Sequence, residues 1–173
     1  MTVAFPIVLV SIGMFVQMLT GGTGMRDASR EAGAAITAAQ TAIEEMRNER
    51  FDQLLPLFNA DPLDDPGGPG TAPGHRFRVD ELVPLDAAAD GMVGEIILPV
   101  RNAGSEVAPD WEIREDLVLP ELGMPRDLNG DAVIDDLDHS DDVSLLPVVV
   151  VLRWQGRLGE QEMRVFTVMT ELY

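Results

Sequence analysis

The chain contains no cysteine. No disulfide can tie one loop to another in any compartment, so a long loop must be held by other means. Positive charge is also scarce. Twelve Lys and Arg stand against 30 Asp and Glu, a net charge of −18. Phosphate backbones and anionic lipid surfaces attract clustered Lys and Arg, and this balance argues against both as docking partners. There is no thiol nucleophile, and His75 and His139 are the only histidines. No enzyme activity is expected.

Charge is missing altogether from the amino-terminal stretch, where the first charged side chain is Arg26. Thr2 to Thr20 is almost wholly apolar, with Gln17 the main exception. About 20 such residues form a helix roughly 30 Å long, the thickness of a bilayer core. A cleaved secretory signal would carry a basic start and a small-x-small cleavage site, and neither is evident. A buried core helix is the third reading. Residues 1–24 are expected to form a hydrophobic helix that sits in a membrane or in a bundle, with Pro6 tolerated near its start. The GGTG run at 21–24 lacks the GK[ST] of a phosphate-binding loop. Each glycine disfavours helix by about 1 kcal/mol relative to alanine, so a break is expected there.

From Met25 to about Phe58 the pattern is helical again. Ala32, Ile36, Ala39, Ile43 and Met46 recur every three or four residues, with Arg30, Glu31, Glu44, Arg47 and Arg50 opposite. Pro56 and DPLDDPGGPGTAPG (61–74) end the helix in a loop. Four strand-like segments follow: HRFRV (75–79), GMVGEIILPV (91–100), PVVVVLRW (147–154) and EMRVFTVMTEL (162–172). The last two are joined by QGRLG, a suitable hairpin connection. The expectation is an α+β fold: a long amino-terminal helix, broken near 21–24, packed on a four-stranded antiparallel sheet. Residues 25–173 would form the globular head. Trp111 and Trp154 are assigned to packing, and His75 to the surface.

An insertion, residues 104–144, separates the second and third strands. It holds 13 acidic and 2 basic residues, −11 of the chain's −18. Within it lies DLNGDAVIDDLD (127–138). Asp127, Asn129 and Asp131 take positions 1, 3 and 5 of a twelve-residue loop. Val133 takes position 7, where the ligand is a backbone carbonyl, and Asp135 and Asp138 take positions 9 and 12. This is the hard-oxygen spacing of an EF-hand-type calcium loop, and it resembles the dockerin version, which ends in Asp. Seven aspartates between 127 and 142, with no Lys or Arg among them, would repel strongly without a cation. Ala132 departs from the pattern at position 6, where glycine permits positive φ. A solvated acidic loop rich in Asx turns is the alternative. His139, just after the loop, is placed at the surface or behind the ligands.

Taken in order, these parts resemble the type IV pilins and pseudopilins. The opening MTVAFPIVLVSIGMF is similar to the mature start of minor pilins, AAITAAQTAIEEMRNERFDQLL (34–55) to their second helical half, and VVVVLRWQGRLGEQEMRVFTVMTEL to their final hairpin. The resemblance implies a structural filament subunit, held in the inner membrane before assembly and at the bacterial surface afterwards. It would polymerise with itself or with other pilins, and its Met1 would be processed and N-methylated. The assembly seam would comprise Met1, Phe5, Val8, Leu9, Ile12, Phe15 and Val16. The family usually carries Glu at mature position five, where this chain has Phe5. A Phe cannot neutralise the buried amine of a neighbouring subunit, so that amine needs another acceptor, or solvent, or a special position such as the tip. The alternative function is a membrane-tethered, calcium-dependent binding module or adhesin, which would stay monomeric.

Overall fold

The computed structural model describes residues 4–85, 90–105 and 108–171, with side chains from Met25 onward. Helix α1 (Ala4–Asn48) is a single element. The break expected at 21–24 is absent, because the backbone is helical through GGTG. Glycine weakens a helix without stopping it. A helix already nucleated on both sides needs only to propagate across four residues. The span-like run and the assembly seam from Met1 to Val16 lie outside the described side chains. Among the described residues, no helix is long and apolar enough to cross a membrane.

After α1 come a short 3-10 turn (Phe51–Gln53) and helix α2 (Leu54–Phe58). Pro56 falls in the first turn of α2, where its missing N–H has no intrahelical partner to lose. The loop that follows has no disulfide, and hydrogen bonds hold it instead. Gly70 N donates to Pro62 O at 2.9 Å and Gly74 N to Leu57 O at 3.0 Å. Buried Asn59 accepts from Asp61 N at 2.8 Å and donates to Asp64 Oδ2 at 2.6 Å. His75 sits half-buried at its end, with Nδ1 3.3 Å from Asn59 O.

Six strands follow: β1 (Arg76–Phe77), β2 (Gly94–Ile97), β3 (Val100–Asn102), β4 (Trp111–Ile113), β5 (Leu145–Gly156) and β6 (Gly159–Thr170). The main sheet has the order β1-β2-β5-β6, with every neighbouring pair antiparallel. The fold is therefore α+β with a four-stranded antiparallel sheet, as the sequence predicts. The β5–β6 hairpin turns on Arg157 and Leu158, with Gly156 opposite Gly159. The pair β3–β4 forms a separate two-stranded sheet that was not expected. Three-residue segments such as VRN and WEI are too short to show a period.

The helix meets the sheet through Ala35, Ala39, Ala42, Ile43 and Met46, all buried. Two members of the expected stripe lie off this face: Ala32 is exposed and Ile36 is 48% exposed. Ile36 stands about 100° around the helix from Ala35, outside the row that the sheet covers. Close approach is enforced at Gly156, where an added Cβ would lie 2.8 Å from Glu31 Oε2. Gly156 thus marks the helix-facing side of β5, and alternation puts Leu146, Val148, Val150, Leu152 and Trp154 on that side. All five are buried, as expected for Trp154. On the other side Arg153 bridges Glu95 (3.1 Å) and Glu162 (2.8 Å) across three strands. Val149 and Val151 remain buried even on this face, because β5 is an interior strand.

Leu152 is fully buried, whereas Phe166 is 51% exposed. Leu152→Ala should destabilise the head by about 2–5 kcal/mol, lowering Tm by about 2–4 °C per kcal/mol. Phe166→Ala should stay within about 0.5 kcal/mol. Thermal denaturation of both variants checks the assignment of faces.

Candidate metal centre

The acidic insertion belongs to the main core. Leu122 and Leu128 are fully buried and join the cluster built around β5. Leu128 is position 2 of the twelve-residue loop. Its carbonyl accepts from Ser144 N and Leu145 N, both at 3.0 Å, which fixes the loop to the start of β5. One apolar side chain and one carbonyl thus anchor the loop in place of a disulfide.

The predicted ligands form a ladder of carboxylate-to-backbone hydrogen bonds. Asp127 accepts from Gly130 N at 2.6 Å and from Ala132 N at 2.9 Å. Asn129 Oδ1 accepts from Asp131 N at 3.0 Å, and Asp131 Oδ1 from Val133 N at 2.7 Å. Asp135 Oδ1 accepts from Leu137 N at 2.9 Å. Asp138 is turned to β4: its Oδ1 accepts from Ile113 N at 3.2 Å, from Ser140 N at 3.0 Å and from Ser140 Oγ at 2.6 Å. The backbone winds tightly enough to put Gly130 at φ 86° and Ala132 at φ 65°. Position 6 therefore takes the left-handed conformation that glycine would adopt without strain.

The donor chemistry suits a hard divalent cation: carboxylates, one amide oxygen and a carbonyl, with no sulfur. The ligands share one loop without meeting at one point. Among the described residues, no group of three or more His, Cys, Asp and Glu is placed to hold a metal ion. Calcium coordination at about 2.3–2.6 Å would require the loop to tighten.

Beneath the loop lies a buried cluster. His139 is 4% exposed, and its ring stands between carboxylates, with Nδ1 3.0 Å from Asp142 Oδ1 and Nε2 3.1 Å from Asp135 Oδ1. Burial pulls the His139 pKa down. The hydrogen bonds to Asp142 and Asp135 and the charge of Glu115 outweigh it, so the pKa sits above its ordinary value. A ring nitrogen facing a carboxylate on each side is what an imidazolium satisfies. The Leu137 N–H and then His139 hold the Asp135 pKa below the usual carboxylate value. Asn129 and then His139 do the same for Asp142, and Asn129 Nδ2 donates to Asp142 Oδ2 at 3.1 Å. His139 is therefore not a surface residue: it is buried beneath the loop against Asp135 and Asp142.

Glu115 was missed. It is 0% exposed, and its Oε1 accepts from Leu128 N at 2.5 Å and from Asn129 N at 3.2 Å. Read in sequence, Glu115 is one acidic residue among the 13 of an acidic insertion. Nothing in WEIRED distinguishes it, and Glu115 lies beyond the end of β4. Arg114 beside it is also buried and grips Asp116 through Nε (3.0 Å) and Nη2 (3.1 Å).

A non-glycine residue in the left-handed region is strained by about 1–2 kcal/mol. Ala132→Gly should therefore stabilise the protein, by less than that amount because glycine also gains freedom in the unfolded chain. Gly130→Ala should destabilise it by about 1 kcal/mol or more. Denaturant titration of the two variants gives both signs. Comparison with known protein families, characterised proteins and solved structures finds no match for this chain.

Proposed function

We propose that this chain is a structural subunit of a type IV pilus-like or pseudopilus filament, assembled through its hydrophobic amino-terminal helix and stabilised by calcium. The observation that carries the reading is the run of α1 from an uncharged apolar stretch into an alanine stripe packed on an antiparallel sheet. A helix with this division has one half to bury in its own head and one half to bury elsewhere. Before assembly that place would be the inner membrane. Afterwards it would be the filament core, formed with copies of this chain or with other pilins, at the bacterial surface. Residues 1–24 would be the assembly segment and 25–173 the head, with 104–144 as its calcium-loop insertion. Neither catalysis nor nucleic-acid binding belongs to the proposal.

Calcium would be held by Asp127, Asn129, Asp131, the Val133 carbonyl, Asp135 and Asp138. The left-handed turn at Ala132 and the all-oxygen donor set support the assignment. Four carboxylates against a divalent ion favour calcium over sodium, and magnesium is disfavoured by its demand for a smaller octahedral shell. With a Kd near 10 μM and roughly millimolar calcium, linkage gives about 2.7 kcal/mol.

Two measurements test the two halves of the proposal. Ile12→Asp places a charge in the apolar seam and should abolish filaments in negative-stain microscopy. Normal filaments from that variant would sink the assembly model. The full-length protein in detergent should lose about 5–10 °C of Tm on chelation, the size of shift that 2.7 kcal/mol implies for this length. The double variant Asp127→Ala, Asp131→Ala should be insensitive to chelator. Equal melting of the wild type with calcium and with chelator would leave the loop a solvated acidic turn.

A further inference from the structure

Of the four asparagines in the chain, Asn48, Asn59, Asn102 and Asn129, only Asn129 is followed by glycine. In that setting the backbone nitrogen after the asparagine can attack the side-chain amide carbon, and glycine, with no Cβ, leaves the approach unhindered. Asn129 is half-buried and Gly130 is exposed, so water has access to the pair. The folded loop nevertheless holds every group that the attack must move. Gly130 N donates to Asp127 Oδ1 at 2.6 Å, with Gly130 fixed at φ 86°. Asn129 Oδ1 accepts from Asp131 N at 3.0 Å, and Asn129 Nδ2 donates to Asp142 Oδ2 at 3.1 Å. The attacking nitrogen has its N–H engaged, and the amide carbon it would reach is pinned from both sides.

We propose that Asn129–Gly130 is a deamidation site that the folded loop keeps shut and that local opening of the loop exposes. In the open loop the Gly130 nitrogen gives up its proton and bonds to Asn129 Cγ. The Cγ–Nδ2 bond breaks, and Nδ2 leaves as ammonia, taking up a proton in place of the one released. Water then opens the cyclic imide at either carbonyl, giving aspartate or isoaspartate. The product places a carboxylate where Asn129 Nδ2 now donates to Asp142, in a stretch that already holds seven aspartates between 127 and 142. Isoaspartate also adds a methylene to the backbone between Leu128, which anchors the loop in the core, and the left-handed turn at Gly130 and Ala132. Neither product can remake the original closure, so the change runs one way. The inference does not rest on the calcium reading, because the guarding bonds are all within the protein.

The test follows the full-length protein in detergent, with chelator present throughout, by peptide mapping and mass spectrometry. The readout is the mass gained when the amide NH2 is replaced by OH. In denaturant, Asn129 should deamidate ahead of the other three asparagines. In the folded protein its rate should fall by about tenfold or more, since reaction then waits on local opening. Asp127→Ala removes the acceptor for Gly130 N and Ala132 N and should raise the folded-state rate about tenfold. Asp142→Ala frees Nδ2 and should act in the same direction. Leu152→Ala weakens the core away from the loop and should leave the rate unchanged. Asn129→Asp, the direct product, should melt below the wild type. A folded wild type that deamidates as fast as the unfolded chain overturns the proposal. So does an unchanged or slower rate in Asp127→Ala, which would make that carboxylate no guard, or equal acceleration in Leu152→Ala, which would make the opening global. An unchanged Tm for Asn129→Asp overturns the one-way consequence. If Asp127→Ala does not fold, Asp142→Ala decides by the same criterion.

Discussion

Repulsion among acidic side chains is the constraint that shapes this protein. Seven aspartates fall between residues 127 and 142, in a chain with no cysteine. Two devices hold them. Backbone N–H groups take up the carboxylates of Asp127, Asp131, Asp135 and Asp138. The buried His139 ring gathers Asp135 and Asp142 on its two nitrogens. Both devices work only if the loop stays at one place on the sheet. The fully buried Leu128, with its carbonyl bonded to the start of β5, keeps it there.

The same fact explains why the insertion is not a flap. A segment with a net charge of −11 would gain solvation by standing free of the head. Ile113, Leu122, Met124 and Leu128 prevent that by entering the cluster that also holds Val148, Val149 and Val150. Burying an aliphatic side chain is worth about 1.5–3 kcal/mol. Four such residues outweigh the exposed-charge repulsion that solvent and salt largely screen. Arg114 adds a local counter-charge, gripping Asp116 within the insertion itself.

Much of the fold was legible because its signals repeat. The β-branched run of β5 and the alternation of β6 give the hairpin and its turn. The alanine-rich pattern gives the helix, though its contact face lies about one position away from Ala32 and Ile36. Period alone fixes the width of a stripe, while the sheet chooses which row it covers. The GGTG break failed because local propensity yields to helix on both sides. The strands β3 and β4 and the role of Glu115 were illegible for a common reason. Each depends on a contact made far away in sequence, Val100 with Ile113 and Glu115 with Leu128. A single acidic residue within an acidic segment carries no local mark of burial. The twelve-residue loop was legible only as a tight acidic turn: Ala132 takes a left-handed conformation, but the carboxylates that the spacing picks out do not meet at one point.

The arrangement also separates the two ends of the molecule chemically. Asp27 pairs with Arg157 at the β5–β6 turn, and Glu31 lies against Gly156, so the apolar half of α1 leaves the head at the hairpin end. The acidic loop is fastened to Leu145, at the other end of β5. Twelve residues of strand separate the two, about 40 Å at 3.3–3.4 Å per residue. In a filament built through residues 1–24, that distance keeps the −11 insertion several Debye lengths from the packed helices at physiological salt. A cation bound in the loop would steady the far end of each head without entering the helical contacts. On the proposed function, assembly and ion binding would then act at opposite ends of the molecule.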